Sequence, residues 1–408
     1  MNPFMKRHLG SFPNALLATV LILDVVRAQQ PVARFFYNES GGVVRHEKDT
    51  NGDGRMDRFV IYDSSGKIQR IEHDENDDGK PDLTSYYEAG KLRREEISTK
   101  RDGTVDIWYF YNAQGEVEHK ELDSNRDGKP DTWVHQRDNQ PIRSEEDSNF
   151  DGRPDRIVYW TEGKIARVEE DTNGNGRMDS FSHFVNGELV RKELDRQHKG
   201  KIDLWGHYQA GRLLRQEEDV NGDGKADRIL YFRDEQLVRR EEDSRGLGQI
   251  DLIELYASGK LEKRLKASRG NGRIDTLSVF RDNKLTYEDA DSNEDGFFDL
   301  RLSYQEQDLS LQQADTNHDQ RVDVWVFYEN GKRVRQEEDR NFNGKVDARY
   351  YFADGQVTKQ EAVMESAPDS GELVFSSVEE VVRSASAGTP QAAVLATPTG
   401  SGRMRDQR

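Results

Sequence analysis

An all-β chain, built as an elongated stack (solenoid or superhelix) of about 14 β-hairpins joined by Asp/Asn/Gly loops, is what this sequence predicts. Three observations carry that expectation. A nine-residue acidic segment recurs thirteen times at a spacing of 24 or 25 residues, starting at Asp49, Asp74, Ser98, Asp123, Asp147, Asp171, Asp195, Asp219, Asp243, Ala267, Asp291, Asp315 and Asp339. Each copy leads into a short aromatic and β-branched run, then a turn, then an amphipathic run. Only 33% of residues are hydrophobic against 34% charged, poor material for a thick core. A fixed period of this length marks a repeat architecture in which each unit is stable only against its neighbours.

The N-terminus reads as a secretory signal over residues 1–28. Lys6 and Arg7 precede an apolar stretch from Ala15 to Val26, and Val26-Arg27-Ala28 places small residues around a cleavage point. That stretch is twelve residues long and contains Asp24, too short and too polar to span a bilayer. The chain has no cysteine, which excludes disulfides, thiolate metal sites and a lipoprotein anchor. Export to the periplasm, cell surface or medium is the expectation.

A first hairpin follows, from Ala33-Arg-Phe-Phe-Tyr37 and Val43-Val-Arg45-His-Glu47. The repeat proper then begins. Asp57 leads into Arg58-Phe-Val-Ile-Tyr62, and its counterparts include Ile107-Trp-Tyr-Phe-Tyr111 and Val324-Trp-Val-Phe-Tyr328. Such residues suit a strand. Loop position 14, the strand's last residue, is aromatic in twelve of thirteen units, Gln136 being the exception. Turns with Gly or Asn follow (Gly90, Gly163, Asn283, Gly331), where a positive φ is needed. Both 25-residue intervals take their extra residue there, at Ser64-Ser65-Gly66 and Ala113-Gln114-Gly115.

The second strand repeats an apolar residue six positions before the next loop, usually Arg four before it and usually Glu two before it, as in Ile68, Arg70 and Glu72. Alternate residues share a face, so stacked units present ladders of these residues. Mixed-sign charge reads first as a salt-bridged, solvated surface. An extended, charge-patterned binding face is the other reading. The repeat domain runs over 29–362. Residues 363–408, rich in Ser, Ala, Gly, Thr and Pro, read as a disordered tail with room for a short helix at Val378–Arg383.

The loops carry the chemistry. Oxygen-bearing side chains at positions 1, 3 and 5 converge when the backbone turns tightly. Glycine at position 6 permits the turn, and a carboxylate at position 9 closes the shell. Hard oxygen donors suit calcium better than zinc or copper. Nine loops keep this set, giving as candidate ligands Asp49, Asn51, Asp53 and Asp57; Asp74, Asn76, Asp78 and Asp82; Asp123, Asn125, Asp127 and Asp131. The series continues with Asp147, Asn149, Asp151 and Asp155; Asp171, Asn173, Asn175 and Asp179; Asp219, Asn221, Asp223 and Asp227. It ends with Asp291, Asn293, Asp295 and Asp299; Asp315, Asn317, Asp319 and Asp323; Asp339, Asn341, Asn343 and Asp347. In the loop at 315 Gln320 stands in place of the glycine. Up to about nine Ca2+ ions follow, adding +18 to a formal charge of −18. The loops at 98, 195, 243 and 267 carry Lys100, Lys199, Arg245 or Arg269 at ligand positions and read as turns that have lost the metal.

Asp49-Thr-Asn51-Gly-Asp53-Gly54-Arg-Met-Asp57 resembles the calcium loops of integrin-type propellers and thrombospondin type 3 repeats, a resemblance of nine residues per unit that implies calcium alone. EF-hands differ: position 12 is Val60, Ser85, Tyr109 or Val134 rather than Glu, and no helical period flanks the loop. Tyr62-Asp-Ser-Ser-Gly66-Lys-Ile resembles the YD repeats of bacterial RHS shells, and Tyr86-Tyr-Glu-Ala-Gly90-Lys-Leu is similar to MORN-like hairpins. A second arrangement pairs fourteen hairpins into a seven-bladed β-propeller. Blades would make odd and even units inequivalent, yet Trp108, Trp133, Trp205 and Trp325 fall on both.

Catalysis is not expected. No phosphate loop opens a helix, no nucleophile elbow appears, and His135, His183 and His207 occupy one strand position in separate units. The acidic balance opposes nucleic-acid binding. The function expected is a secreted calcium-binding scaffold for an unidentified protein or cell-envelope partner. The alternative is a glycan-binding accessory module of a secreted carbohydrate-active system. A row of solvent-facing Trp and Tyr points to glycan, and buried aromatics point to the scaffold.

Overall fold

The computed structural model describes residues 32–387. The expected signal segment and residues 388–408 lie outside the described residues. The chain is all-β apart from one helix, α1 (Val378–Ser386). It divides into two compact units, the first ending at Glu116 and the second starting at Val117.

In the first unit seven strands follow one another: β1 (Ala33–Tyr37), β2 (Val43–Lys48), β3 (Arg58–Tyr62), β4 (Ile68–His73), β5 (Leu83–Glu88), β6 (Lys91–Ile97) and β7 (Ile107–Tyr111). Each pairs antiparallel with the next. In the second unit the strands from β8 (Val117–Leu122) through β27 (Val346–Ala353) to β28 (Gln356–Ser366) do the same, without a break at four-strand intervals. Within each unit that continuity is an open stack of hairpins rather than a set of four-stranded propeller blades.

The hairpin tips take the predicted positive φ, as at Ala89 (52°) and Gly90 (82°). One feature departs from strict alternation. In the hairpins the register slips by one residue near the tip, for example between Tyr86 and Tyr87, so that Arg94 opposes Tyr86 while Leu92 opposes Tyr87. This bulge moves the apolar residue to the face opposite Arg and Glu. Gly206 confirms it: a Cβ there would lie 2.9 Å from the Tyr208 ring and 3.4 Å from Leu213. The predicted Leu–Arg–Glu ladder is therefore two ladders on two faces.

Arg and Glu do pair along the strand, at 2.8 Å for Arg70–Glu72, 2.7 Å for Arg143–Glu145 and 3.0 Å for Arg215–Glu217. Arginines also lie against aromatic rings of adjoining strands. Arg167 sits 6.0 Å from the Tyr159 centroid and 5.6 Å from that of Phe181. Delocalised guanidinium planes pack on rings while their edges bond carboxylates.

The tail corrects the sequence reading. Residues 363–366 complete β28. Beyond it the chain turns back over the Arg–Glu face, with isolated bridges Arg321↔Val374 and Phe297↔Ser377 leading into α1. The reason is apolar area. Where the code breaks, Leu265 replaces Glu and Leu311 replaces Arg. Ile253, Leu265, Leu277, Phe298, Val322, Trp325 and Val346 then form a buried cluster with Phe375, Val378 and Ala385 of the tail. Ser377 caps the helix, its hydroxyl accepting from the Glu380 N–H.

Candidate metal loops

The first and ninth residues of each loop prolong the sheet. Asp57 N–H bonds Lys48 O at 3.1 Å and Asp74 N–H bonds Asp57 O at 2.9 Å; the same alternation runs through the second unit, as at Asp155, Asp171 and Asp179. The backbone thus lines up a column of buried carboxylates, Asp49, Asp57, Asp74 and Asp82 in the first unit and Asp123 and Asp131 onward in the second.

Each predicted ligand position then braces its own loop. In the first copy Asp49 accepts from Gly52 N–H (2.6 Å) and Gly54 N–H (2.9 Å). Asn51 Oδ1 accepts from Asp53 N–H at 2.9 Å, and Asp53 Oδ1 from Arg55 N–H at 2.8 Å. Asp57 reaches back to Thr50 N–H (2.9 Å), the Thr50 hydroxyl (2.6 Å) and Asn51 N–H (3.1 Å). The bond from position 6 to the first carboxylate recurs at Asp74, Asp123, Asp147, Asp171, Asp219, Asp291, Asp315 and Asp339. All four positions are thus gathered in one small loop. Among the described residues, however, no three His, Asp or Glu side chains already converge on a common point.

The electrostatics differ from loop to loop. Burial pushes Asp171 upward, but N–H donors from Gly176, Asn175 and Gly174 outweigh it and hold the carboxyl below its usual range. At Asp323 burial wins over the Thr316 and Asn317 donors, with Asp315 adding repulsion, and the carboxyl is raised. The carboxyls of Asp53 and Asp77, in adjoining loops, act on each other. Burial and then Asp53 raise Asp77, whereas the Arg55 N–H lowers Asp53. Oδ1 of Asp77, Asp82 and Asp291 is buried without a hydrogen-bond partner. An unsatisfied carboxylate oxygen is costly, and a hard cation is one way to satisfy it. Positions 1, 3, 5 and 9 supply carboxylate and amide oxygens, the hard donor type that a calcium ion takes.

The loops at 195 and 243 keep the same brace, Gly200 N–H to Asp195 at 2.6 Å and Gly248 N–H to Asp243 at 2.5 Å, and differ in the cations they bring in. Lys199 Nζ bonds Gln197 Oε1 at 2.7 Å, and Arg196 Nε bonds Asp203 Oδ1 at 3.0 Å. Arg245 Nε lies 3.7 Å from Asp251 Oδ2, whereas Arg269 turns to the next loop and meets Glu294 at 2.8 Å. Asp106, Asp203 and Asp251 stay buried as the loop-closing acid.

Sequence reasoning missed position 4. It is left-handed alongside position 6, as at Asp77 (59°), Phe150 (60°) and His198 (53°). Position 3 also reaches the neighbouring loop: Asn51 Nδ2 bonds Asp77 Oδ2 at 3.2 Å and Asn293 Nδ2 meets His318 Nδ1 at 2.8 Å. The frequent glycine at position 4 (Gly52, Gly174, Gly222, Gly246, Gly270) was the available signal.

No family model matches the chain, and no curated protein matches it. Solved structures similar to it include the TcdB2–TccC3 complex, 12% identical over 85% of this chain and 21% of that one, with a TM-score of 0.17. Another is the Photorhabdus luminescens Tc holotoxin pore, 13% identical over 84% and 23%, also with a TM-score of 0.17. The chain spans less than a quarter of the length of either. Scores this low leave the reading of this chain to its own residues.

Proposed function

We propose that this chain is a calcium-binding, exported repeat scaffold that presents its hairpin faces to a protein or cell-envelope partner. The observation that supports it is the set of buried loop carboxylates in each unit, with an oxygen of Asp82 at position 9 and of Asp291 at position 1 left without a hydrogen-bond partner. Positions 1, 3, 5 and 9 would hold the ion, which when bound supplies positive charge and no reaction. A ligand taken up only by the folded chain stabilises it by mass action, and contributions add along a repeat array. Export rests on the pattern over residues 1–28. Among the described residues no helix is long and apolar enough to cross a membrane.

The glycan alternative is less favoured. The position-14 aromatics, Tyr62, Trp160 and Tyr208 among them, are half-buried, and Trp325 is only 2% exposed. No row of solvent-facing Trp stands among the described residues. Thermal unfolding with calcium and with chelator tests the reading: chelation is expected to lower the midpoint, and identical curves would reject it.

A further inference from the structure

The first unit begins, and the second ends, on a strand with one described neighbour. Among the described residues β1 pairs only with β2, and β28 only with β27. Phe35, Phe36 and Tyr37 on β1 are 50%, 44% and 61% exposed, an unusual concentration of aromatic surface on one edge strand.

The two edges carry complementary halves of the internal junction. Inside the stack, the residue four before a loop opposes loop position 13, and the residue two before it opposes position 11, as in Arg70↔Tyr86 and Glu72↔Thr84. Twice that second pair is an acid and an arginine. Arg301 bonds Asp289 through Nε (2.6 Å) and Nη2 (2.7 Å), and Arg349 Nε bonds Glu337 at 2.8 Å. On β28 the outgoing residues are Lys359 and Glu361, which form an ion pair with each other. Lys359 lies 5.3 Å from the Tyr351 ring on its inner side. On β1 the incoming residues are Phe36 and Arg34, since they oppose Arg45 and Glu47 of their own hairpin. Arg45 shows the filled version of the site, lying 6.0 Å from Phe36 on one side and 5.0 Å from Phe59 on the other.

We propose that copies of this chain join head to tail, the outer edge of β28 in one copy pairing antiparallel with β1 of the next. The register sets Lys359 against Phe36, Gln360 against Phe35, Glu361 against Arg34 and Ala362 against Ala33. Lys359 gains a second ring, and Glu361 gains the arginine that Asp289 and Glu337 already have. Such a contact is heterologous and leaves one free edge at each end, so it propagates. Main-chain bonds supply the affinity and the charged pair fixes the register. It rests on strand register and stands whether or not the loops hold calcium.

The absence of cysteine makes the test direct. Ala33→Cys and Ala362→Cys, both at exposed positions, are made in separate full-length chains and mixed under mild oxidation. A mixed disulfide between the two, mapped by peptide mass spectrometry, is expected, with little product from either variant alone. Adding Arg34→Glu to the first chain places like charges in opposition and should cut the yield about tenfold. Equal cross-linking of Ala33→Cys with itself would overturn the proposal, because it would mean like edges meet. For the chain without substitutions, the sedimentation coefficient should rise with concentration; a constant value over the accessible range overturns it as well.

Discussion

Arg239 donates from Nη1 to the main-chain oxygen of Ala385 across 2.6 Å, joining the last arginine of the run Arg143, Arg167, Arg191, Arg215 and Arg239 to the final turn of α1. A cation at a helix C-terminus satisfies an orphan carbonyl and complements the helix dipole. At its other end the tail is held by Asp369, 2.7 Å from Arg335 and 3.4 Å from Arg349. Between these polar anchors the apolar residues of the tail cover the part of the face where Arg and Glu give way to Leu, Ile and Trp. The segment acts as a strap, charged at both ends and greasy in the middle.

Ending the chain after Glu372 removes that cover. Phe375 alone is 3% exposed, and truncating a buried Phe to Ala costs about 3–5 kcal/mol. Phe375→Ala is therefore expected to lower the unfolding midpoint, and the truncated chain to bind a hydrophobic dye that the intact chain does not. Unchanged midpoints and dye binding would show that the strap contributes nothing to stability.

The strap also explains what could be read in the sequence and what could not. Hairpins, tips and acidic loops were legible because each is local and repeats many times. The bulge was not, because a one-residue slip leaves the period at 24 residues and only redistributes side chains between faces. The tail was misjudged on composition. Its few apolar residues, Phe375, Val378, Val381 and Val382, are too sparse to signal a core by themselves. They find one because Ile253, Leu265 and Trp325 are waiting on another element. The signal was present as lapses in the Arg–Glu code at Leu265, Leu311 and Gln313.

Gln320 is the one position-6 residue that is not glycine, and it is left-handed with φ of 74°. An L side chain there costs about 1 kcal/mol. Gln320→Gly should raise stability by about that amount in urea unfolding. The strap contact is preserved, since Phe375 N–H bonds the main-chain oxygen of residue 320 at 2.9 Å. Destabilisation by the change would show that the Gln320 side chain has an unrecognised partner.

A carboxylate on the ladder face, Glu217, sets a dependence on pH. His207 Nε2 lies 2.8 Å from Glu217 Oε1. That bond is the largest influence on Glu217; burial opposes it, the Arg215 charge adds to it, and the carboxyl is held below its ordinary 4.5. A carboxyl lowered in the folded state stabilises the fold fully above its unfolded value and loses that contribution as pH falls through the folded value. Stability should therefore decline on acidification below about pH 4.5. His207→Ala should be less stable than the parent at pH 6 and approach it near pH 3. A stability difference that does not change over this window would remove Glu217 from the account.

The last prediction separates carboxylates that would hold calcium from those that only brace a turn. Asp219 accepts from Gly222 N–H (2.7 Å) and Gly224 N–H (2.7 Å), and Asp227 from Val220 N–H (2.7 Å) and Asn221 N–H (2.9 Å). Asp251, in the loop with Arg245, makes the equivalent bonds to Ser244 N–H (2.8 Å) and the Ser244 hydroxyl (2.8 Å). Both sites are turn braces, so Asp219→Ala with Asp227→Ala and Asp251→Ala should each lower stability, by about 1–2 kcal/mol for every capping carboxylate removed. Only the first loop has the oxygen set for an ion, so only the double variant should lose one bound calcium in native mass spectrometry. The Arg245 guanidinium already places positive charge near Asp251. If the Asp251 variant loses an ion as readily as the double variant, the division between metal-holding and metal-free loops is wrong. If neither loses one, the loops are held by their own N–H groups alone and calcium has no part in the fold.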